Sequence, residues 1–125
     1  MNTDDLAERE LTRVIIGAAF EVINEVGHGL HEKPYENALV LELGLRDIGC
    51  DQQRRFDVLF KGVKITDYVP DLIVDGRVIV DAKVIDRITD FERGQMLNYL
   101  RITKLHVGLI INFKRPKLEW ERIVL

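Results

Sequence analysis

Apolar residues recur at steps of three and four through Leu11, Val14, Ile15, Ala18, Ala19, Val22, Ile23 and Val26. That is the repeat of one helix face, and it predicts an amphipathic helix of about six turns ending at Gly27 or Gly29. Thr3 or Asn2 is placed to cap it, with Asp4 and Asp5 complementing the helix dipole. Pro34 suits the first turn of a second helix, which Leu39, Leu43 and Ile48 carry to about Ile48 and Gly49. The period then changes to two. Phe56, Val58 and Phe60 share one side of a strand, Lys61-Gly62 turns the chain, and Val63 to Ile65 returns. Leu72 to Val74 and Val78 to Val80 flank Asp75-Gly76, a type I′ hairpin signal. Thr89-Asp90 caps a third helix from about Phe91 to Ile102. Val107 to Phe113 is a near-continuous apolar run and reads as a buried central strand. Leu118, Trp120 and Arg122 alternate against Glu119, Glu121 and Ile123, as in a final edge strand. The order α–α–β–β–β–β–α–β–β predicts an α/β fold, a mixed sheet flanked by helices.

Polar residues in the most apolar hairpin need a reason, because a buried charge must be paired or coordinate a metal. Asp71 stands at the entry to this hairpin, and Asp81 and Lys83 at its exit. Side chains alternate along a strand, so Asp81 and Lys83 share a face. The register of a two-residue turn brings Asp71 beside them. Two carboxylates and an ammonium then meet at one end of the sheet, a setting for a divalent cation and a polarised water.

The same residues carry a family resemblance. Pro70-Asp71, nine residues, then Asp81-x-Lys83 resembles the signature of the PD-(D/E)xK, or restriction-endonuclease-like, nuclease superfamily. Gly29-x-x-Glu32-x-x-Tyr35 is similar to the signature of the GxxExxY family, which is assigned to that superfamily. This closer resemblance runs from Ile16 to Val124 and includes Tyr35-Glu36-x-Ala38-Leu39 and Gly108 to Phe113. It implies a restriction-endonuclease-like fold and metal-dependent cleavage of phosphodiesters. It also implies that an early-helix carboxylate completes a metal site with Asp71 and Asp81. Glu32 is the first choice because it belongs to the signature, and Glu36 the second. The two are four apart on one helix face, where like charges repel unless a metal or basic partner intervenes. Gln95-x-x-x-Tyr99, on one face of the third helix, resembles a motif that follows the Asp-x-Lys element in RecB-like nucleases. Gln95 would hold the attacking water or a phosphate, and Tyr99 would orient Lys83 or the substrate backbone. Tyr35 and Glu36 are further candidates for the substrate side. Lys83 would orient or deprotonate the water, or stabilise the transition state. The carbonyl of Ala82 is a candidate further ligand. His28 and His31 flank the glycines, where they could bind metal, bond a phosphate or simply be exposed.

Hard oxygen ligands suit Mg²⁺ or Mn²⁺. At 125 residues the chain is expected to form one domain over 1–125. No apolar run reaches a membrane span, the charged start lacks a signal-peptide core, and Cys50 stands alone. A cytoplasmic protein is expected, with Cys50 a small buried or semi-buried residue at the end of the second helix. Net charge is −3, but residues 1–53 hold 4 Lys/Arg against 11 Asp/Glu, and residues 54–125 hold 14 against 10. The basic half, from Arg54-Arg55 to Lys114-Arg115-x-Lys117, could meet phosphates. The expected partner is nucleic acid, DNA ahead of RNA, and a domain this small is expected to pair as a homodimer. Two readings remain: a metal-dependent nuclease, or a catalytically inactive nucleic-acid-binding or assembly protein on the same fold.

Overall fold

A computed structural model describes residues 3–125, with side chains from residue 8 onward. Helix α1 covers Thr3–Val26. The cap expected at Asn2 or Thr3, with Asp4 and Asp5, lies outside the described residues and side chains. The helix stops where Gly27 turns to a φ of 81°. Helix α2, Glu32–Leu45, ends three residues before Ile48, because Arg46 and the left-handed Asp47 close its last turn.

The main sheet has five strands in the order β1 (Cys50–Asp51), β4 (Leu72–Val74), β5 (Val78–Lys83), β6 (Val107–Asn112) and β7 (Glu119–Val124). Only β5 and β6 run parallel. That pairing needs a crossover, and helix α3, Asp90–Thr103, lies on it. Thr89 caps α3 with a full capping box: its hydroxyl accepts from Phe91, and the Glu92 carboxylate accepts from the Thr89 N–H at 2.7 Å. Strands β2 (Phe56–Phe60) and β3 (Val63–Tyr68) form a separate two-stranded hairpin. The chain adds one strand to the expected order. Cys50 begins β1, paired with Val74, and its thiol is half-buried.

Alternation along the strands divides the core into two layers. Leu72, Val74, Val80, Ala82, Leu109 and Ile111 face α1 and α2, packing on Ile15, Ala19, Leu39 and Leu43. Ile73, Ile79 and Ile110 face α3, packing on Met96 and Leu100. This is an α/β fold, a mixed sheet with helices on both faces, the architecture that the resemblance implies. The two layers decide which residues can meet at the end of β5.

Candidate active site

Asp75 and Gly76 both take positive φ, 53° and 66°, as a type I′ turn requires. The tight turn sets the register Leu72↔Val80. One step further, Asp71 stands across from Asp81, and their carboxyl groups lie within hydrogen-bonding reach of each other. Asp71 is two residues from Ile73, and Asp81 and Lys83 follow Ile79 at steps of two, so all three belong to the face toward α3. Asp71 Oδ2 accepts from the Ala82 N–H at 3.1 Å. Lys83 Nζ lies 3.1 Å from Asp81 Oδ2 and donates to Gln95 Oε1, also at 3.1 Å. Tyr99, one turn after Gln95 and in hydrogen-bonding reach of it, stacks on Tyr68 with ring centroids 4.1 Å apart.

Burial and then the Asp81 carboxylate raise Asp71 from its ordinary 3.8 to about 7. Burial lowers Lys83, but the charge and hydrogen bond of Asp81, with Tyr99 and Asp71, more than offset it and leave the ammonium favoured. Tyr68 and Tyr99 are both pushed up, by burial first and then by the negative charge of Asp81. Two crowded carboxylates against one ammonium leave a negative surplus. A divalent cation would neutralise it. Mg²⁺ commonly takes one or two carboxylates and fills its other positions with water and phosphate. The donor set of Asp71 and Asp81 therefore fits such an ion.

The expected third ligand does not join them. Among the described residues no three Asp, Glu, His or Cys side chains are gathered closely enough to hold an ion. The reason is the layering. Helix α2 packs on the opposite sheet face, so Glu32 reaches only the end of β5, where its Oε1 accepts from the Val84 N–H at 3.3 Å. Glu36 is buried and engaged elsewhere, accepting from Lys33 at 2.7 Å and from Gln52 at 2.6 Å. Tyr35, expected on the substrate side, is fully buried. Its hydroxyl donates to the Gly27 carbonyl at 2.7 Å and accepts from the Leu30 N–H, and its ring stacks on Phe113. In this structure Tyr35 clamps the Gly27–His31 loop. Within that loop Gly29 has a φ of 105°, which a side chain would strain. His28 and His31 stand exposed around a cavity of about 530 Å³, with Glu32, Val84 and Lys114 on its walls.

Three contributors were not anticipated. Tyr68 roofs the site from the hairpin. Asn112 is buried at the end of β6, and its amide donates to the Ile85 carbonyl at 2.8 Å and to Glu119 at 3.0 Å. It also accepts from the Ile85 N–H, so it pins the segment leaving Lys83. An asparagine closing an apolar strand was the available signal. Gln52, which holds Glu36, carried none.

A family profile described as the PD-(D/E)XK nuclease superfamily matches residues 9–123. No curated protein and no solved structure matches the chain. With the match spanning the Pro70–Lys83 hairpin, both core layers and the crossover helix, the chain belongs to the PD-(D/E)XK nuclease superfamily.

Proposed function

We propose that the chain is a nuclease of the GxxExxY kind that hydrolyses phosphodiester bonds in DNA with Mg²⁺ or Mn²⁺. The observation that supports this reading is the Asp71–Asp81 pair with the Lys83 ammonium 3.1 Å away and Gln95 behind it. A divalent cation held by Asp71 and Asp81 would activate water and offset charge on the scissile phosphate. Lys83 keeps its proton between two acceptors and would meet the negative charge that develops on the phosphate. Gln95 holds that ammonium in place from α3. Tyr68 and Tyr99 limit water on this side, which strengthens each charge interaction. The domain would span 1–125 and work in the cytoplasm. It would pair as a homodimer through the edge strand β7, where Trp120 is 41% exposed.

The test is cleavage of single- and double-stranded DNA and RNA by wild type, Lys83→Ala and Asp81→Asn with either metal. Lys83→Ala should cut about 10²–10³-fold more slowly while metal binding by calorimetry persists. Asp81→Asn should lose activity through weaker metal binding, so excess Mn²⁺ should restore part of it. Equal rates for Lys83→Ala and wild type would refute the role given to Lys83. A wild type that cuts nothing would transfer preference to the binding or assembly reading. The separation of Glu32 from the carboxylate pair is the observation that favours that second reading.

A further inference from the structure

The β2–β3 hairpin stands outside the main sheet and carries an unusual surface. Leu59, Phe60, Val63 and Ile65 are 59–66% exposed, four large apolar side chains near one end of the hairpin, with Leu59 on the face opposite the Phe60–Val63 pair. An isolated two-stranded hairpin is marginal by itself, and exposed apolar clusters mark contact sites. The root of this hairpin is well held. Tyr68 stacks on Tyr99, and Phe56 packs on the α3 layer. Nearer the tip, Leu59 lines a shallow cavity with Asn98, Arg101 and Ile102 of α3, and the Phe60–Val63 pair lies on the other face of the hairpin.

Charge indicates what the tip would touch. The segment from Arg54 to Tyr68 holds four cations, Arg54, Arg55, Lys61 and Lys64, against Asp57 and Asp67. Lys64 and Arg55 are ion-paired with those two carboxylates. Arg54 and Lys61 are not; each cation instead lies over an aromatic ring, 5.0 Å from Phe56 and 5.5 Å from Phe60. Aromatic rings interleaved with unneutralised cations fit a nucleic-acid strand, whose bases stack and whose phosphates carry the opposite charge. Two copies joined tip to tip would instead set these cations against one another. Position agrees with charge. Five steps along β3, roughly 17 Å, lead from Val63 to Tyr68, which touches the candidate active site; Pro70-Asp71 follows at once.

We propose that the β2–β3 hairpin grips unpaired nucleotides a few positions along the strand from the scissile phosphate, Phe60 stacking a base and Lys61 taking a phosphate at the tip, while Arg54 takes a phosphate nearer the site at the root. The role as a substrate grip rests on the nuclease reading; the binding itself does not. An exposed ring favours single-stranded segments, because a fully paired duplex hides its base faces.

The experiment measures fluorescence anisotropy of a labelled single-stranded oligonucleotide and its blunt duplex, with metal chelated so that nothing is cut. Wild type is compared with Phe60→Ser and Lys61→Ala, and circular dichroism checks each fold. In parallel, hydrolysis of bis(p-nitrophenyl) phosphate with Mn²⁺ reports the active site with a substrate too small to reach the tip. Phe60→Ser should weaken single-strand binding by roughly 5- to 150-fold and duplex binding less. Lys61→Ala should lower the salt slope of single-strand binding by about 0.7. Neither should change small-phosphodiester hydrolysis. If both variants bind the single strand as wild type does while wild type cuts, the grip is refuted and the nuclease reading stands. If wild type cuts nothing yet binds single strands through Phe60 and Lys61, the binding inference stands and the nuclease reading falls. A Phe60→Ser variant that dissociates a dimer without changing oligonucleotide binding assigns the tip to self-assembly and overturns the proposal.

Discussion

Asp71 shows at the level of one residue how a site can oppose the fold that carries it. Its carboxyl is raised from 3.8 to about 7 by burial and by Asp81. A raised carboxylate pKa means that the folded state binds the extra proton between those values, so stability is lost as pH rises through that window. Asp71→Asn keeps an acceptor for the Ala82 N–H and removes the repulsion. The metal-free variant should therefore melt above wild type at pH 8, by about 1 kcal/mol or roughly 4 °C after allowance for partial exposure. The gap should narrow as pH falls below 7 and close below about pH 4, and Mg²⁺ should raise only the wild type. A variant no more stable than wild type at pH 8 in thermal melts would contradict this. Tyr35 is the reverse case, a motif residue whose visible work is structural. Tyr35→Phe keeps the stack on Phe113 but leaves the Gly27 carbonyl and Leu30 N–H without their partner. It should cost about 1–3 kcal/mol in denaturant unfolding. A stability unchanged with cleavage lost would return Tyr35 to the substrate.

Between elements, the close approach of α3 to β6 depends on one missing side chain. A Cβ at Gly108 would collide with the Met96 thioether. Gly108→Ala should therefore cost about 1–3 kcal/mol by overpacking. Met96→Ala should relieve that clash, so the double variant should cost less than the sum of the two single changes in urea unfolding. Strict additivity would show that the helix and strand do not press on each other there. The same contact bears on the site, since α3 brings Gln95 to Lys83. Placement of helices also explains Glu32. Its spacing from Glu36 and its position at the start of α2 were legible in sequence. Which sheet face α2 would cover was not, and that face separates Glu32 from Asp81.

For the whole molecule, the outer edge of the sheet bears on how copies associate. Strand β7 ends the sheet with unpaired backbone groups on its outer side, and such edges invite pairing. A homodimer through β7 should appear by light scattering at micromolar concentration, and Trp120→Glu should convert it to monomer without loss of fold. A monomeric wild type would remove this interface. Among the described residues, no helix is long and apolar enough to cross a membrane.

Local pattern was sufficient for the three helices, both hairpins and the buried strand, because each is specified by neighbours in the chain: apolar spacing, a cap at Thr89, and Asp75-Gly76. It was also sufficient to place Asp71 beside Asp81, since a two-residue turn dictates register. Tertiary packing decided the rest. It buried Tyr35 and Glu36, set Glu32 at the backbone of Val84, stacked Tyr68 on Tyr99, and tied Asn112 to the segment after Lys83. None of these contacts follows from sequence spacing, because each joins elements whose relative faces are chosen only when the two core layers close.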